Sequence, residues 1–357
     1  MATVGMNDKT GRPIRVWALL GPHRGDNNQV LALAEALGLP FEEKWLRYNQ
    51  LRRLQPALLG ATLKSVAADA RAQLEGQPPD LTISTGHRSV AVVRALRKRS
   101  GGKMRAVHLG YPRISPKHFD LVVPTPEYPI GEAPNVVRIP FALSPHAARE
   151  VEEADRDLLA PYARPRRLLL IGGPTLYWQV AERRVIRAVR RLLMAAAWAG
   201  GSVIVVGSPR TPAELLAAVA STLEDSSMPS LMAPAQGPPS YAALIEAADK
   251  IYVTADSVAM VADAVMTGKP VGIIAISKSR LGKWVMAITD RVRPGKRLFP
   301  RDLRFFWAAL LEHGFGGTID EPRASEPPDF TAAIAERIRR LLKLPPRPAT
   351  AGRDSDR

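Results

Sequence analysis

Short apolar runs of four to seven residues recur along this chain, and helix-spaced segments lie between them. Runs of that length bounded by turn residues read as strands buried on both faces, and their alternation with helices predicts βαβ units and parallel sheets. Two series are visible. The first comprises 15–20 (RVWALL), 80–84 (DLTIS), 105–109 (RAVHL), 120–123 (DLVV) and 135–139 (NVVRI). The second comprises 167–171 (RLLLI), 202–206 (SVIVV), 250–254 (KIYVT) and 270–276 (PVGIIAI). One helix is expected from an N-cap near Asn28 to Gly38, and another from near Ser89, with Val90, Val93 and Leu96 as its apolar stripe.

The stretch 150–165 (EVEEADRDLLAPYARP) is charged and proline-containing, and it separates the two series. The expected organisation is therefore α/β, with two Rossmann-like parallel-sheet domains facing a cleft. They span 12–150 and 164–320, followed by a helix within 321–344 that packs back and a disordered polar tail over 345–357.

Composition sharpens this picture. A chain of 357 residues with 46% hydrophobic content is long for one core and comfortable for two, and 6% aromatic content with abundant Ala, Leu and Val suits helices on buried strands. Cysteine is absent, which removes disulfides, thiolate zinc sites and a cysteine nucleophile. The six histidines are scattered, so no metal site is expected. The start lacks a secretory apolar stretch and no uncharged run approaches the ~20 residues of a bilayer span, so the chain reads as soluble and cytoplasmic.

Charge adds a partner class. Lys and Arg exceed Asp and Glu by 50 to 34, and residues 11–118 alone hold 18 basic against 7 acidic side chains. Such an excess points to a polyanion. No nucleic-acid-binding signature accompanies it, so nucleic acid is not expected, whereas an anionic membrane surface needs no base-reading motif. The segment 183–191 places Arg183, Arg184, Arg187, Arg190 and Arg191 opposite an apolar helical stripe, a second surface expected to bind anionic lipid in a salt-dependent way.

In open parallel sheets, ligands sit beyond the carboxyl ends of the strands. After the first strand of the second series come Gly172 and Gly173, which let backbone approach a ligand closely. After the next come Ser208, Arg210 and Thr211, with Thr211-Pro212 resembling a capped helix start and Arg210 beside its positive end. After the third come Thr254, Asp256 and Ser257. Ser257 suits an N-cap and a phosphate contact; Asp256 can orient the loop, touch a ribose hydroxyl or cap the helix. Neither a Walker-A sequence nor a full dinucleotide glycine fingerprint is present.

The loop after the chain's first strand carries His23 and Asp26, candidates either for deprotonating an acceptor hydroxyl or for turn and capping chemistry. Arg88 and Arg113 follow two further strands, where they can hold an anionic group or pair with acidic neighbours.

Taken together, NNQVLALAEALG, PDLTISTGHRS, HLGYPR, FDLVV, IGGP, SPRTP and ADKIYVTADSVAMVADAVMTGKPV resemble the mitochondrial-fission family of the plant Elongated Mitochondria factor and its bacterial relatives. The resemblance spans roughly 14–315. It implies a glycosyltransferase-B-like (GT-B-like) fold, with the acceptor side in the first domain and the nucleotide-sugar side in the second. Three departures stand out: Gly21-Pro22-His23-Arg24-Gly25 replaces an aspartate-glycine-arginine-glycine type of loop, Leu109-Gly110-Tyr111 stands where glutamine and aspartate are usual, and Asp263 replaces a glutamate. The expected activity is metal-independent transfer of a sugar from a nucleotide sugar, used as substrate and not as cofactor, to an envelope or membrane-associated acceptor. The alternatives are a sugar-nucleotide epimerase or hydrolase, and an inactive scaffold peripheral to the inner membrane.

Overall fold

In the computed structural model, which describes residues 12–144 and 151–346, all but one of the apolar runs form strands of two separate sheets. The expected tail lies outside the described residues from 347 onward, as do 145–150. The chain divides into two compact units: 12–125 with 130–139 and 329–346, and 126–129 with 140–144 and 151–328.

The first unit contains β1 (Val16–Leu20), α1 (Arg24–Leu37), β2 (Phe41–Trp45), α2 (Pro56–Leu59), α3 (Ala68–Ala72), β3 (Leu81–Thr85), α4 (Gly86–Arg99), β4 (Arg105–Leu109) and β5 (Leu121–Val123). Its sheet runs β2-β1-β3-β4-β5, parallel throughout. Sequence and structure part company in three places. Residues 135–139 are not a strand; Val136 makes one isolated bridge to Val122, and the fifth strand is instead β2. Helix α1 begins at Arg24 and not near Asn28, because buried Asn27 doubly bonds the backbone of Gly21, accepting from its N–H and donating to its carbonyl (2.8 Å each). Helix α4 starts straight after β3, and Ser89 lies inside it, its hydroxyl turned back on the carbonyls of Thr85 and Gly86. Gly38 ends α1 in the left-handed conformation, as expected.

The second unit contains α5 (Glu153–Leu159), β6 (Arg166–Ile171), β7 (Trp178–Gln179), α6 (Glu182–Ala199), β8 (Ser202–Gly207), α7 (Ala213–Glu224), β9 (Ser230–Ala233), α8 (Tyr241–Ala247), β10 (Lys250–Thr254), α9 (Val258–Val265), β11 (Val271–Ile274), β12 (Ser277–Lys278), α10 (Arg280–Val292) and α11 (Leu303–Glu312). Its main sheet runs β11-β10-β6-β8-β9, again all parallel. On one face Val185, Val189 and Leu192 of α6 and Leu215 and Val219 of α7 bury against Leu169, Val203 and Val205. Each such side chain contributes about 1.5–3 kcal/mol of transfer free energy. The outer face of α6 carries the expected arginines, of which Arg191 is paired with Asp320 at 3.0 Å.

After α11 the chain returns to the first unit as α12 (Phe330–Leu341), packed on α1. Arg339, itself buried, donates from Nη1 to the carbonyl of Leu37 at 2.8 Å and so caps the last turn of α1.

Candidate functional site

Strand order locates the place to look. In the second unit the chain steps from β6 to β8 and β9 on one side and then to β10 and β11 on the other, so the loops after β6 and β10 flank the topological switch point. In the first unit the corresponding loops follow β1 and β3.

At the second unit's switch point the two loops are tied together by side chains. Thr254 Oγ1 accepts the Gly172 amide at 2.8 Å and donates to Asp256 Oδ1 at 2.7 Å. Asp256 Oδ2 accepts the Gly173 amide at 2.9 Å and Arg210 Nη2 at 3.3 Å. The carboxylate is 1% exposed, and burial raises its pKa while the Thr254 hydroxyl, the Gly173 amide and Arg210 oppose the rise. Three donors facing it, one of them a guanidinium, favour the acceptor form against the cost of burial.

This geometry corrects the reading of the glycines. A Cβ on Gly172 would sit 2.1 Å from Asp256 Oδ2, and one on Gly173 would sit 2.2 Å from the Arg210 carbonyl. Close approach is needed by the protein's own loops, and both amides are already occupied. Asp256 neither caps α9 nor presents a free carboxylate; Ser257 is the N-cap, its hydroxyl accepting the Met260 amide at 3.4 Å.

Thr211 also differs from expectation. The N-cap of α7 is Pro212, and the Thr211 hydroxyl turns back to the end of β6, within 2.9 Å of the Ile171 carbonyl and 2.8 Å of that of Gly172, while accepting the Ser208 amide. It fixes the loop that carries Arg210. No helix follows Gly172-Gly173; the Thr175 amide donates to the Trp178 carbonyl and β7 pairs antiparallel with β12. The structure thus brings Gly172, Gly173, Ser208, Arg210, Thr211, Thr254 and Asp256 into one bonded network with Ser257 next in the chain. Of these, Arg210 is half-exposed with long contacts of 3.3–3.4 Å, and Ser257 is half-buried.

In the first unit, His23 is exposed at the N-cap of α1 and its side chain makes no cap bond. Asp26 is half-buried in the first turn, with Oδ2 4.0 Å from where a Cβ on Gly86 would lie, so the loops after β1 and β3 meet there. Arg88 and Arg113 both act on His87, whose pKa is lowered to about 4, chiefly by burial and then by these two cations. The sequence pointed to the arginines but not to the neutral imidazole among them, nor to Tyr48, whose phenol burial pushes up against the pull of Arg88. Arg88 Nε is buried with no hydrogen-bond partner in the protein. Arg113 is held at φ +57°, a conformation that costs about 1–3 kcal/mol for a non-glycine residue and clusters at functional sites.

A family model described as mitochondrial fission ELM1 matches residues 24–342, nearly the whole described chain. The chain belongs to this family. The mitochondrial fission protein ELM1 of Arabidopsis thaliana is 25% identical over 312 residues, covering 80% of this chain and 69% of that one. Among solved structures, the UDP-GlcNAc 2-epimerase of Methanocaldococcus jannaschii aligns with a TM-score of 0.53 at 13% identity, over 92% of this chain and 99% of that one. That of Neisseria meningitidis, bound to UDP-GlcNAc, aligns with a TM-score of 0.49 at 12% identity, over 92% and 100%. The fold of this ELM1-family chain is α/β with two Rossmann-like parallel-sheet units, GT-B-like.

Two further features of the ELM1-family chain escaped the sequence. Asp263 accepts the hydroxyls of Ser144 (2.7 Å) and Tyr241 (3.2 Å), so its carboxylate joins two segments of the second unit. Beside the β10 loop lies a largely apolar cavity of about 340 Å³ bounded by Ala255, Ile276, Trp307 and Phe315, with the Trp307 indole donating to the Ala255 carbonyl at 2.8 Å. Its walls come from segments far apart in sequence, so no local motif announces it. Among the described residues no helix is long and apolar enough to cross a membrane.

Proposed function

We propose that this chain binds a sugar nucleotide at the switch point of its second unit and transfers the sugar to an acceptor hydroxyl without a metal. The observation that carries the reading is that Arg210, from the β8 loop, bonds the buried carboxylate of Asp256, whose next residue, Ser257, is the N-cap of α9. A half-exposed guanidinium and a helix N-terminus then adjoin the same buried carboxylate, a pairing that favours a diphosphate. The substrate class printed for the Methanocaldococcus relative agrees with it.

In this proposal the first unit supplies the acceptor side. Asp26 or His23 takes the proton of the acceptor hydroxyl, its oxygen attacks the anomeric carbon, and the bond to the diphosphate breaks with both electrons going to the leaving group. Arg210 and the α9 amides stabilise that charge. Arg88 and Arg113 hold an anionic part of the acceptor, which would give the buried Arg88 Nε the partner it lacks in the protein. A second reading, a scaffold that retains the fold without turnover, draws support from the Gly172 and Gly173 amides, both spent on protein contacts.

Calorimetric titration of UDP into wild type, Arg210→Ala and Ser257→Ala tests the donor site. Arg210→Ala should cost about 1.5–3 kcal/mol, one to two decades in affinity, and Ser257→Ala about 1 kcal/mol, since its backbone donors remain. Binding by wild type that neither substitution weakens would move the diphosphate elsewhere. Release of UDP from a UDP-sugar on adding acceptor separates the enzyme from the scaffold.

A further inference from the structure

Helix α10 touches the rest of the second unit along a narrow face, through Gly282 and Met286, which are buried, and Val285 and Thr289, which are half-buried. The fit is close: a Cβ on Gly282 would lie 2.0 Å from the Tyr177 carbonyl, and the Ser279 hydroxyl accepts the Gly282 amide at 3.0 Å. Beside that face runs a row of apolar side chains turned to solvent. Leu281 is 46% exposed, Trp284 66%, Ile288 44% and Val292 69%. Their spacing of three, four and four residues keeps them on one stripe, about 16 Å long at 1.5 Å per residue. Leu176 and Phe299 are exposed too, and both adjoin the helix: the Leu176 carbonyl accepts the Ser279 hydroxyl, and the Phe299 carbonyl accepts the hydroxyl of Tyr177.

Cations line the stripe on the side away from the body. Arg280, Lys283 and Arg291 lie on the neighbouring arc of the helix, and Arg293 and Lys296 follow it; all five are exposed. Between Lys278 and Arg301 there are eight Lys or Arg and a single acid, Asp290, which Arg304 engages at 3.0 Å. The outer face of α10 is thus apolar and cationic, with its one carboxylate already paired.

We propose that α10 seats the protein on the surface of an anionic lipid bilayer, lying in the interface plane with Leu281, Trp284, Ile288 and Val292 toward the acyl chains and the flanking Lys and Arg at the phosphates. An indole among aliphatic side chains suits the headgroup boundary, and long cationic side chains beside an apolar stripe reach back to the headgroups. A second copy of the chain is a poor occupant, because it would set two such cationic borders against each other on molecules of formal charge +16. The chain's own segments outside the described residues are poor covers as well: 1–11, 145–150 and 347–357 contain only Met1, Val4 and Met6 as large apolar residues. The surface stands apart from the donor site, since α10 carries none of the residues assigned there.

The test is sedimentation of the full chain with vesicles of phosphatidylcholine alone and of phosphatidylcholine mixed with phosphatidylglycerol, at low and high salt. Wild type should bind the anionic vesicles at low salt and lose most of that binding at high salt. Trp284→Ser should reduce partitioning about tenfold or more, and Lys283→Gln with Arg291→Gln about tenfold, while Arg183→Gln with Arg187→Gln on α6, the competing surface that the arginine pattern of the sequence suggests, removes the same charge with a much smaller loss. All variants are checked for native circular dichroism. Equal losses from the two charge pairs would mean diffuse attraction by the whole molecule and overturn the assignment. Failure of wild type to bind anionic vesicles would overturn it too, as would a dimer in light scattering that Trp284→Ser converts to monomer.

Discussion

Asp256→Ala is expected to destabilise the second unit by about 3 kcal/mol or more, the sum of two buried donors left without an acceptor and a carboxylate-sized void. The Gly173 amide and the Thr254 hydroxyl lose their partner, and Arg210 loses its tie to the loop. Asp256→Asn should cost less, because its carbonyl can still accept the Gly173 amide while its amide group faces a hydroxyl that is able to accept. Gly172→Ala should match the alanine variant in severity, since its methyl group meets Asp256 Oδ2 at 2.1 Å. The two are coupled. Removing the carboxylate makes room for the methyl group, so the double variant should be distinctly more stable than the two losses added together. Urea unfolding of the four proteins checks this, and strict additivity would show that the clash is relieved by backbone movement instead.

Acid should unfold the first unit through His108. This side chain is fully buried in β4, its Nδ1 lies 3.0 Å from Ser84 Oγ, its Nε2 has no partner, and burial followed by the charge of His87 lowers its pKa to about 3. The folded state therefore refuses a proton that the unfolded chain takes up near pH 6.5. As pH falls below 6.5 the unfolded state binds more protons than the folded one, so stability falls, and it keeps falling until the folded pKa is reached. At pH 4.5 the loss from this residue is about 2–3 kcal/mol. His87 adds to it in the same direction. In His108→Leu the difference in unfolding free energy between pH 7 and pH 4.5, extrapolated from urea titrations to water, should shrink by about that amount; an unchanged difference would place the acid sensitivity in another group.

The sequence made the buried strands legible because SVIVV and KIYVT have no solvent face to confuse the pattern. Edge strand β2, FEEKW, was not legible: Glu42, Glu43 and Trp45 are exposed, so the run looks like a loop until its register with β1 is known. The segment NVVRI failed in the opposite sense, apolar enough for a strand yet joined to the sheet by one bridge. At the site, the loops and their residue types could be read from the rule that ligands sit beyond strand ends. What Asp256 does could not, because its partner Gly173 lies 83 positions away and only the adjacency of β6 and β10 brings them together. Asn27 is the same kind of case at short range. Asn28 is expected near the helix start as its cap, but the amide of its neighbour Asn27 clamps Gly21 at the exit of β1 and the helix starts upstream, at Arg24.

The return of α12 to α1 has a consequence for how the molecule is made. A chain growing on the ribosome has already delivered every residue of the second unit before Ile334, Ala335, Ile338 and Arg339, which are buried in the packed α12, have been synthesised. The N-terminal sheet, first to emerge, must wait with the Leu37 carbonyl uncapped until translation is nearly finished. Unit order in synthesis and unit order in completion are therefore reversed, and a nascent chain stopped at residue 328 should show a protease-resistant second unit beside a first unit still open to cleavage around α1.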